Sequence, residues 1–233
     1  MVTSIRKTVR GIVFTNRHLA RLYYFLSFSR PVLPQWVGAD YYREKSSWGL
    51  QPERCPCDLE LVEYLQKYNI QDQTIFHFGT GSHHILGLEN QKFSQPNEII
   101  GITASAPEHQ EYVRLSLKDR LLSKYYKVLC TDIYTLTDRS LPMLDVISLF
   151  HLGEFYMPEE AHFLHHNEES LLAMFLSKLN PNGKILFYTK SIGWGHAKPM
   201  IESFVKQGKM HKIEEYKNLL VYTKGSYTHG NRD

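Results

Sequence analysis

Cysteine is scarce in this chain of 233 residues, and long apolar runs are absent. Two of the three cysteines, Cys55 and Cys57, flank Pro56, and the third is Cys130. Three cysteines cannot build a disulfide framework, so a reducing compartment is expected. No apolar run approaches the roughly 20 residues that a membrane-spanning helix requires. The sequence therefore predicts a cytoplasmic protein rather than an integral membrane protein.

Acidic residues are missing from the first 39 residues, which hold six of the 27 lysines and arginines. The remainder of the chain consequently has a slight excess of acids over bases. A domain that binds nucleic acid through its general surface is expected to be basic. The distribution of charge therefore predicts that nucleic acid is not a partner.

The basic N-terminal region has the pattern of an amphipathic helix. Arg10, Arg17 and Arg21 share one face, and apolar side chains occupy the other. Two interpretations remain open. Residues 6–28 make a peripheral membrane contact, or the helix packs its apolar face on the main domain or on the partner in a homodimer. Residues 1–70 as a whole are predicted to form a helical extension or lid, in which Asp58 is the N-cap of a helix.

Metal-ligand patterns are incomplete in this sequence. Cys55 and Cys57 supply two ligands, but no second pair completes a zinc set. His162 and His166 have the spacing of a helical metal pair, but no glutamate lies between them in a His-Glu-x-x-His arrangement. No metal site is predicted.

From Thr74 onward, short apolar strands alternate with helices. Strands are predicted over 74–78, 98–103, 126–130, 144–150 and 184–189, and a closing hairpin over 211–216 and 219–223. Asn167 is predicted to cap one of the helices. This order is typical of an α/β fold with a mostly parallel seven-stranded sheet, helices on both faces and a C-terminal antiparallel hairpin. Ligands of such sheets bind at the carboxyl ends of the strands.

The first strand leads into a glycine-rich turn, His77-Phe78-Gly79-Thr80-Gly81. Glycine allows the backbone to approach a ligand with no Cβ in the way. The turn resembles the first motif of the class I S-adenosylmethionine-dependent methyltransferases, an acid followed by Gly-x-Gly-x-Gly. His77 takes the place of the acid, and His83 takes the place of the third glycine. The resemblance runs from about residue 74 to residue 224, and it implies a Rossmann-like methyltransferase domain over residues 71–233.

Later segments resemble the same family in the same order. Gly101-Ile102-Thr103-Ala104 places Thr103 where the family has an acid for the ribose hydroxyls, and Asp132 matches the acid that contacts the adenine amino group. The segment 176–184 resembles the Leu-x-Pro-Gly-Gly turn of the family. The resemblance implies S-adenosylmethionine as cofactor, with these candidate contacts: His77, Phe78, Gly79, Thr80, Gly81, Thr103, Ala104, Asp132, Ile133 and Phe150.

The segment after the fourth strand faces the transferable methyl group in this family. Here it offers His151 and Glu154 as catalytic candidates, and His151 could act as a general base near neutral pH. The segment lacks an Asn-Pro-Pro-Tyr or Asp-Pro-Pro-Tyr box, which disfavours a base amine of nucleic acid as acceptor. The resemblance thus implies methyl transfer to the oxygen or nitrogen of a small molecule.

Two alternative functions remain open at the level of the sequence. His77 and Thr103 replace two acidic cofactor contacts, which favours a non-catalytic binding protein with the same fold. The basic N-terminal helix favours a membrane-surface methyltransferase that acts on a lipid-linked acceptor.

Overall fold

The computed structural model of the protein describes residues 43–44 and 46–225. The predicted basic helix, with its membrane or homodimer contact through residues 6–28, lies outside the described residues and stays a prediction. The described residues belong to one compact unit. None of the helices in this part of the chain is long and apolar enough to cross a membrane.

A seven-stranded sheet, in the order β3-β2-β1-β4-β5-β7-β6, forms the centre of the described chain. Strands β1 to β5 pair in parallel, whereas β7 is antiparallel to both β5 and β6. The strands are β1 Thr74–Phe78, β2 Glu98–Thr103, β3 Tyr126–Cys130, β4 Leu144–Ser148, β5 Leu179–Tyr188, β6 Met210–Tyr216 and β7 Leu219–Lys224. The predicted fold class, including the closing hairpin, is confirmed.

Helices cover both faces of the sheet. They are α1 Cys57–Lys67, α2 Ile85–Asn90, α3 Ala106–Lys118, α4 Arg120–Tyr125, α5 Glu168–Lys178 and α6 Trp194–Lys206, with short 3-10 helices at Ile133–Thr135, Asp138–Ser140 and Pro158–Phe163. One apolar core lies under α5 and α6, where Phe175 and Phe204 are buried. A second core lies under α1, α2 and α4, where Leu61 and Leu122 are buried.

The caps of α3 and α5 follow from local side-chain chemistry. The Asn167 side chain accepts a hydrogen bond from the Ser170 backbone N–H, and the Ser170 hydroxyl accepts one from the Asn167 backbone N–H, so the predicted cap is confirmed as a capping box. Ser105 accepts from the backbone N–H of Glu108 at the start of α3. This cap places Glu108 in the first turn of α3, next to the carboxyl end of β2.

The prediction for Asp58 is wrong. Helix α1 begins at Cys57, its N-cap position is Pro56, and no side chain caps it. Asp58 lies inside the first turn and is buried. Its carboxylate faces two histidines rather than the end of the helix, so it does not cap the helix. Helix α1 falls within the predicted 1–70 extension, yet it packs directly on the sheet through Leu61 and Leu65.

Strand β5 differs from its predicted start at residue 184. Its pairing with β4 passes from Leu144–Leu179 to Val146–Lys184, so the predicted turn at residues 180–183 is a bulge within the strand. Asn180 Nδ2 donates to Asp145 Oδ1 at 2.6 Å, which holds the bulge against β4. Helix α6 contains Pro199 in its interior.

Candidate active site

A pocket of about 280 Å³ opens at the carboxyl ends of β1, β4 and β5, the edge of the sheet at which a ligand was expected. We call it the central pocket. Its wall includes the loop after β1, the loop after β4 and the segment after β5. The remaining wall comes from residues 48–58, the chain that leads into α1, and from Glu108 on α3.

The glycines after β1 are required by contacts within the protein itself. Gly79 has φ +89° and Gly81 has φ +53°, a left-handed conformation that favours glycine. A Cβ at Gly79 would overlap the imidazole of His151. A Cβ at Gly81 would lie 2.6 Å from His83 Nε2 and 2.9 Å from the backbone oxygen of Trp48. His151, His83 and the backbone of Trp48 therefore pack against the turn at the carboxyl end of β1.

Asp58 places a carboxylate beside His77, at the end of β1. Its Oδ1 lies 3.5 Å from His77 Nε2, and its Oδ2 lies 3.5 Å from His83 Nε2. His77 is only 1% exposed, and its other ring nitrogen is 2.7 Å from Ser148 Oγ. Nε2 of His77 has no hydrogen-bond partner in the described chain, since 3.5 Å makes the Asp58 contact electrostatic.

Burial raises the pKa of Asp58, but the charges of His77, His83 and His151 lower it by more, to about 2. The group is therefore a carboxylate at neutral pH, and it lines the central pocket. Sequence reasoning assigned Asp58 only a capping role. The signal that could have identified it is His77 itself, because a histidine at the end of a buried strand needs an acidic or polar partner.

We expect Asp58→Asn to lower the free energy of unfolding by about 2 kcal/mol at neutral pH. The folded pKa of Asp58 is below the unfolded value, so its stabilising effect is present above about pH 4 and is lost as the pH falls toward 2. Chemical unfolding at several pH values measures this difference. The control is Glu63→Gln on the same helix, because Glu63 is half exposed in its ion pair with Lys217. Parallel pH curves for Asp58→Asn and the unmodified protein would contradict the assignment.

Glu108 places a second carboxylate beside Thr103, at the end of β2. Thr103 Oγ1 donates to Glu108 Oε2 at 2.6 Å, and the Trp48 backbone N–H donates to Oε1 at 3.0 Å. Glu108 is buried and borders the central pocket. An acid from the first turn of α3 thus lies where the resemblance implies an acid at the end of β2.

Residues 46–49, which we call the strap, cross the carboxyl ends of β1 and β2. The backbone oxygen of Trp48 accepts from the Ser82 backbone N–H at 2.8 Å and from Ser82 Oγ at 3.0 Å. Ser105 Oγ donates to the backbone oxygen of Ser46. The strap therefore forms one wall of the central pocket. It contacts the segment that follows the glycine turn and the segment that follows β2.

Asp132 is held by contacts on both carboxylate oxygens. Oδ1 accepts from the Tyr134 backbone N–H at 2.9 Å, and Oδ2 lies 2.7 Å from Arg43 Nη2. Arg43 also contacts Glu160 at 2.7 Å. Asp132 does not line the central pocket. The predicted contact of Asp132 with an adenine stays a prediction. Arg43, which contacts Asp132, would then lie beside the adenine as well.

His151 and Glu154 form a coupled pair in the loop after β4. His151 Nδ1 lies 3.1 Å from Glu154 Oε2, and Ser191 Oγ donates to Glu154 Oε1 at 2.5 Å. Burial lowers the pKa of His151, but Glu154, then Asp58 and Cys55, raise it by more. Burial raises the pKa of Glu154, but His151 and Ser191 lower it by more. The pair thus favours a protonated imidazole beside a carboxylate.

Tyr188, at the end of β5, is a pocket residue that sequence reasoning missed. Its hydroxyl is buried with no hydrogen-bond partner in the described chain. Burial raises the pKa of Tyr188, and the negative charge of Cys55 raises it further, so the phenol stays protonated. The residue lines the pocket, while its hydroxyl oxygen is enclosed by the protein. Only the pocket geometry reveals it, because a tyrosine at a strand end carries no motif.

The ten predicted cofactor residues divide into three groups. Gly79 and Gly81 line the central pocket together with the catalytic candidates His151 and Glu154. His77, Phe78, Thr80, Thr103 and Phe150 are buried beneath it. Ala104, Asp132 and Ile133 lie outside its wall, on the side of β2 and β3. In the described residues, no group of three histidine, cysteine or acidic side chains is arranged to hold a metal ion.

Several solved structures that resemble this chain are named as methyltransferases or methylases. The CcbJ methyltransferase from Streptomyces caelestis has a TM-score of 0.55 and 9% identity, over 81% of this chain and 96% of that one. Magnesium protoporphyrin IX methyltransferase (ChlM) from Synechocystis PCC 6803, solved with bound S-adenosylmethionine, has a TM-score of 0.55 and 10% identity, over 80% and 95%. Ribosomal protein L11 methylase from Lactobacillus delbrueckii subsp. bulgaricus has a TM-score of 0.50 and 15% identity, over 77% and 82%.

This likeness shows that the chain has the class I fold of S-adenosylmethionine-dependent methyltransferases. No family model matches the sequence, and no curated protein matches it. The similar structures include one named for a ribosomal protein and one named for a porphyrin. The fold therefore leaves the type of acceptor open, and the expected absence of a nucleic-acid partner stays a prediction.

Proposed function

We propose that this chain is an S-adenosylmethionine-dependent methyltransferase whose acceptor is the oxygen or nitrogen of a small molecule. The observation that carries the proposal is that two carboxylates from elsewhere in the sequence lie beside the positions where the family motif has acids. The motif lacks an acid at His77 and at Thr103, and a carboxylate lies beside each of them, from Asp58 and from Glu108. Both carboxylates border the same pocket.

The side chains of the central pocket fit the chemical groups of that cofactor. Asp58 offers a negative charge toward an amino group, and Glu108 offers oxygens toward ribose hydroxyls. Gly79 and Gly81 line the pocket without a Cβ, so a bound molecule could contact the backbone of the turn. When bound, the cofactor supplies an activated methyl group with its own leaving group. The protein's task is then to align the acceptor and, for an acceptor that must lose a proton, to supply a base.

His151 is the proposed base, and Glu154 is the residue that orients it. The carboxylate at Nδ1 fixes the imidazole so that Nε2 faces the loop after β1, next to Gly79. Lys190 and Ser191 line the same pocket and can hold the acceptor by hydrogen bonds. With the strap in place the pocket, at about 280 Å³, is just below the roughly 300–1,000 Å³ range of ligand sites. The proposal of a small acceptor rests on the segment after β4, which lacks an Asn-Pro-Pro-Tyr or Asp-Pro-Pro-Tyr box.

Binding of both cofactor and acceptor would require the strap to move. Glu108 Oε1 accepts from the Trp48 backbone N–H, so a ribose hydroxyl would have to replace that donor. The strap contacts the glycine turn and α3 by a few hydrogen bonds, each of which contributes about 1 kcal/mol net. Displacement by a ligand that forms equivalent bonds is therefore energetically accessible.

The same strap favours the second candidate function, a non-catalytic binding protein with this fold. Ser105, Ser82 and Glu108 are already engaged by backbone groups of residues 46 and 48. Under this alternative the strap stays closed, and the pocket holds a ligand smaller than S-adenosylmethionine. Titration calorimetry with S-adenosylmethionine and S-adenosylhomocysteine separates the two functions, since only the first predicts binding of either molecule.

We expect Asp58→Asn and Glu108→Gln each to weaken cofactor binding by about 1.5–3 kcal/mol, which is roughly ten- to hundredfold. Each change keeps the shape of the side chain and removes its charge. The matched controls are Glu63→Gln on α1 and Glu111→Gln on α3, because both of these acids are engaged in ion pairs away from the pocket. Calorimetry should find unchanged dissociation constants for the two controls. If the four variants bind equally well, Asp58 and Glu108 do not hold the cofactor.

The acceptor can be found with the active protein itself. Incubation with S-adenosylmethionine carrying a labelled methyl group, together with pooled small alcohols, phenols and amines, should label one chemical class. Fractionation of the labelled products then identifies the acceptor. A parallel incubation replaces the small molecules by total RNA and protein, and label that appears only there would contradict the proposed acceptor while leaving methyl transfer in place.

A further inference from the structure

The two cysteines that precede and begin α1 form a close pair at the wall of the central pocket. Cys55 Sγ and Cys57 Sγ are 3.4 Å apart, and both residues line the pocket. Cys57 is buried and Cys55 is partly exposed. Cys57 Sγ also lies 3.4 Å from Asp58 Oδ1, to which it can donate. Cys130, by contrast, is exposed and distant from this pocket.

The two thiols differ in pKa because their surroundings differ. The hydrogen bond from Cys57 lowers the pKa of Cys55 to about 7; burial opposes this shift, and the charge of His151 adds to it. The hydrogen bond to Cys55 raises the pKa of Cys57, as do burial and the charge of Asp58. Near neutral pH, Cys55 is therefore the nucleophile and Cys57 keeps its proton.

The geometry favours a bond between the two sulfurs. A disulfide has a sulfur–sulfur distance of about 2.0 Å, so the two atoms must approach by about 1.4 Å. Pro56 separates the cysteines and restricts the backbone between them, and Cys57 is the first residue of an 11-residue helix. The two sulfurs are already in contact across this short turn.

We propose that Cys55 and Cys57 are a thiol–disulfide exchange site that takes a low-molecular-weight disulfide as its co-reactant. The Cys55 thiolate attacks one sulfur of that disulfide, whose sulfur–sulfur bond breaks and releases a thiolate. Cys57 then attacks the Cys55 sulfur of the mixed disulfide, and the second thiol leaves with the proton of Cys57. The protein dithiol is oxidised to a disulfide, and the small disulfide is reduced to two thiols. This reaction does not depend on methyl transfer.

The test uses the full chain with Cys130→Ser, which leaves the pair as its only thiols. The reduced protein is incubated with oxidised glutathione at neutral pH, quenched with acid and measured by intact mass and peptide mapping. We expect the loss of two hydrogen atoms, a Cys55–Cys57 linkage and no stable adduct. With Cys57→Ser added, we expect one glutathione on Cys55, because the resolving thiol is missing.

The matched variant with Cys55→Ser added should react at least about tenfold more slowly, because Cys57 stays protonated and buried. The same variants in urea should react at similar rates, since unfolding removes the environment that distinguishes the thiols. A stable glutathione adduct on the protein with both cysteines would overturn the proposal. So would equal rates for the two single-thiol proteins in the folded state, or no reaction of the pair.

Discussion

Replacement of His151 by alanine should lower the rate of methyl transfer by about 10²–10⁴-fold, the usual contribution of a positioned general base. Affinity for S-adenosylmethionine should change little, because Asp58 and Glu108 carry the proposed cofactor contacts. The physical reason is the position of the imidazole. It lies three residues beyond β4, it is oriented by Glu154, and its ring lies at 5.9 Å and 88° to that of Phe78, in a T-shaped contact.

The pH dependence of the rate should identify His151 as the group that titrates. A general base acts in its neutral form, so the rate rises as the pH passes through the pKa of His151. Glu154, Asp58 and Cys55 raise that pKa against the effect of burial, so the rise should occur above the ordinary histidine value of about 6.5. Glu154→Gln removes the largest of the raising effects, and the rise should move to lower pH.

The measurement is a pH–rate profile with the acceptor class identified by labelling, alongside calorimetry for the cofactor. The control is His162→Ala, because His162 lies in the exposed Pro158–Phe163 segment and does not line the pocket. Full activity of His151→Ala, with the pH profile retained, would mean that alignment alone accounts for catalysis or that another group is the base.

The fold was predictable because its strands are short apolar runs that are separated by polar turns. Ile75 and Phe76 on β1 are fully buried, one in each core. A strand that is buried on both faces of a parallel sheet is a continuous apolar run, which is easy to recognise in the sequence. The bulge in β5 was not predictable. Asn180-Pro181-Asn182-Gly183 has the composition of a turn, and only its pairing across to Asp145 on β4 keeps it within the strand.

The wall of the central pocket was predictable only where its residues follow a strand in the sequence. Gly79 and Gly81 follow β1, and a parallel sheet gathers such residues at one edge, whereas His151 and Glu154 were implied by the family resemblance of the segment after β4; all four line the pocket. Asp58 and Glu108 were not assigned to the site because they belong to helices. Their partners, at the ends of β1 and β2, become neighbours only once those helices pack on the sheet.

The contacts of the strap are a second feature that could not be predicted from the sequence. Trp48 contacts Glu108, which is 60 residues away in the sequence, through a backbone N–H that any residue except proline would offer. No side-chain pattern marks such a contact. Only the hydrogen bonds of the strap show that it crosses the ends of β1 and β2.

Gly81→Val should abolish S-adenosylmethionine binding, because it changes the turn in two ways at once. The φ of +53° is costly for a residue with a Cβ, by about 1–2 kcal/mol, and a β-branched side chain is still less suited to it. The new Cβ would also lie 2.6 Å from His83 Nε2 and 2.9 Å from the Trp48 backbone oxygen, closer than atoms in contact allow. The turn would have to move away from the position in which it borders the pocket.

Gly208→Val is the matched control, because it separates backbone strain from loss of the site. Gly208 also has a left-handed φ, +70°, but no atom lies within 4 Å of the Cβ that it would gain. It follows α6, and it does not border the central pocket. We expect Gly208→Val to lower the free energy of unfolding by roughly 1–2 kcal/mol and to leave the calorimetric dissociation constant unchanged. Gly81→Val should remain folded in the same unfolding assay while its heat of binding disappears. Undiminished binding by Gly81→Val would place the cofactor away from the glycine turn, and the proposed site would have to be abandoned.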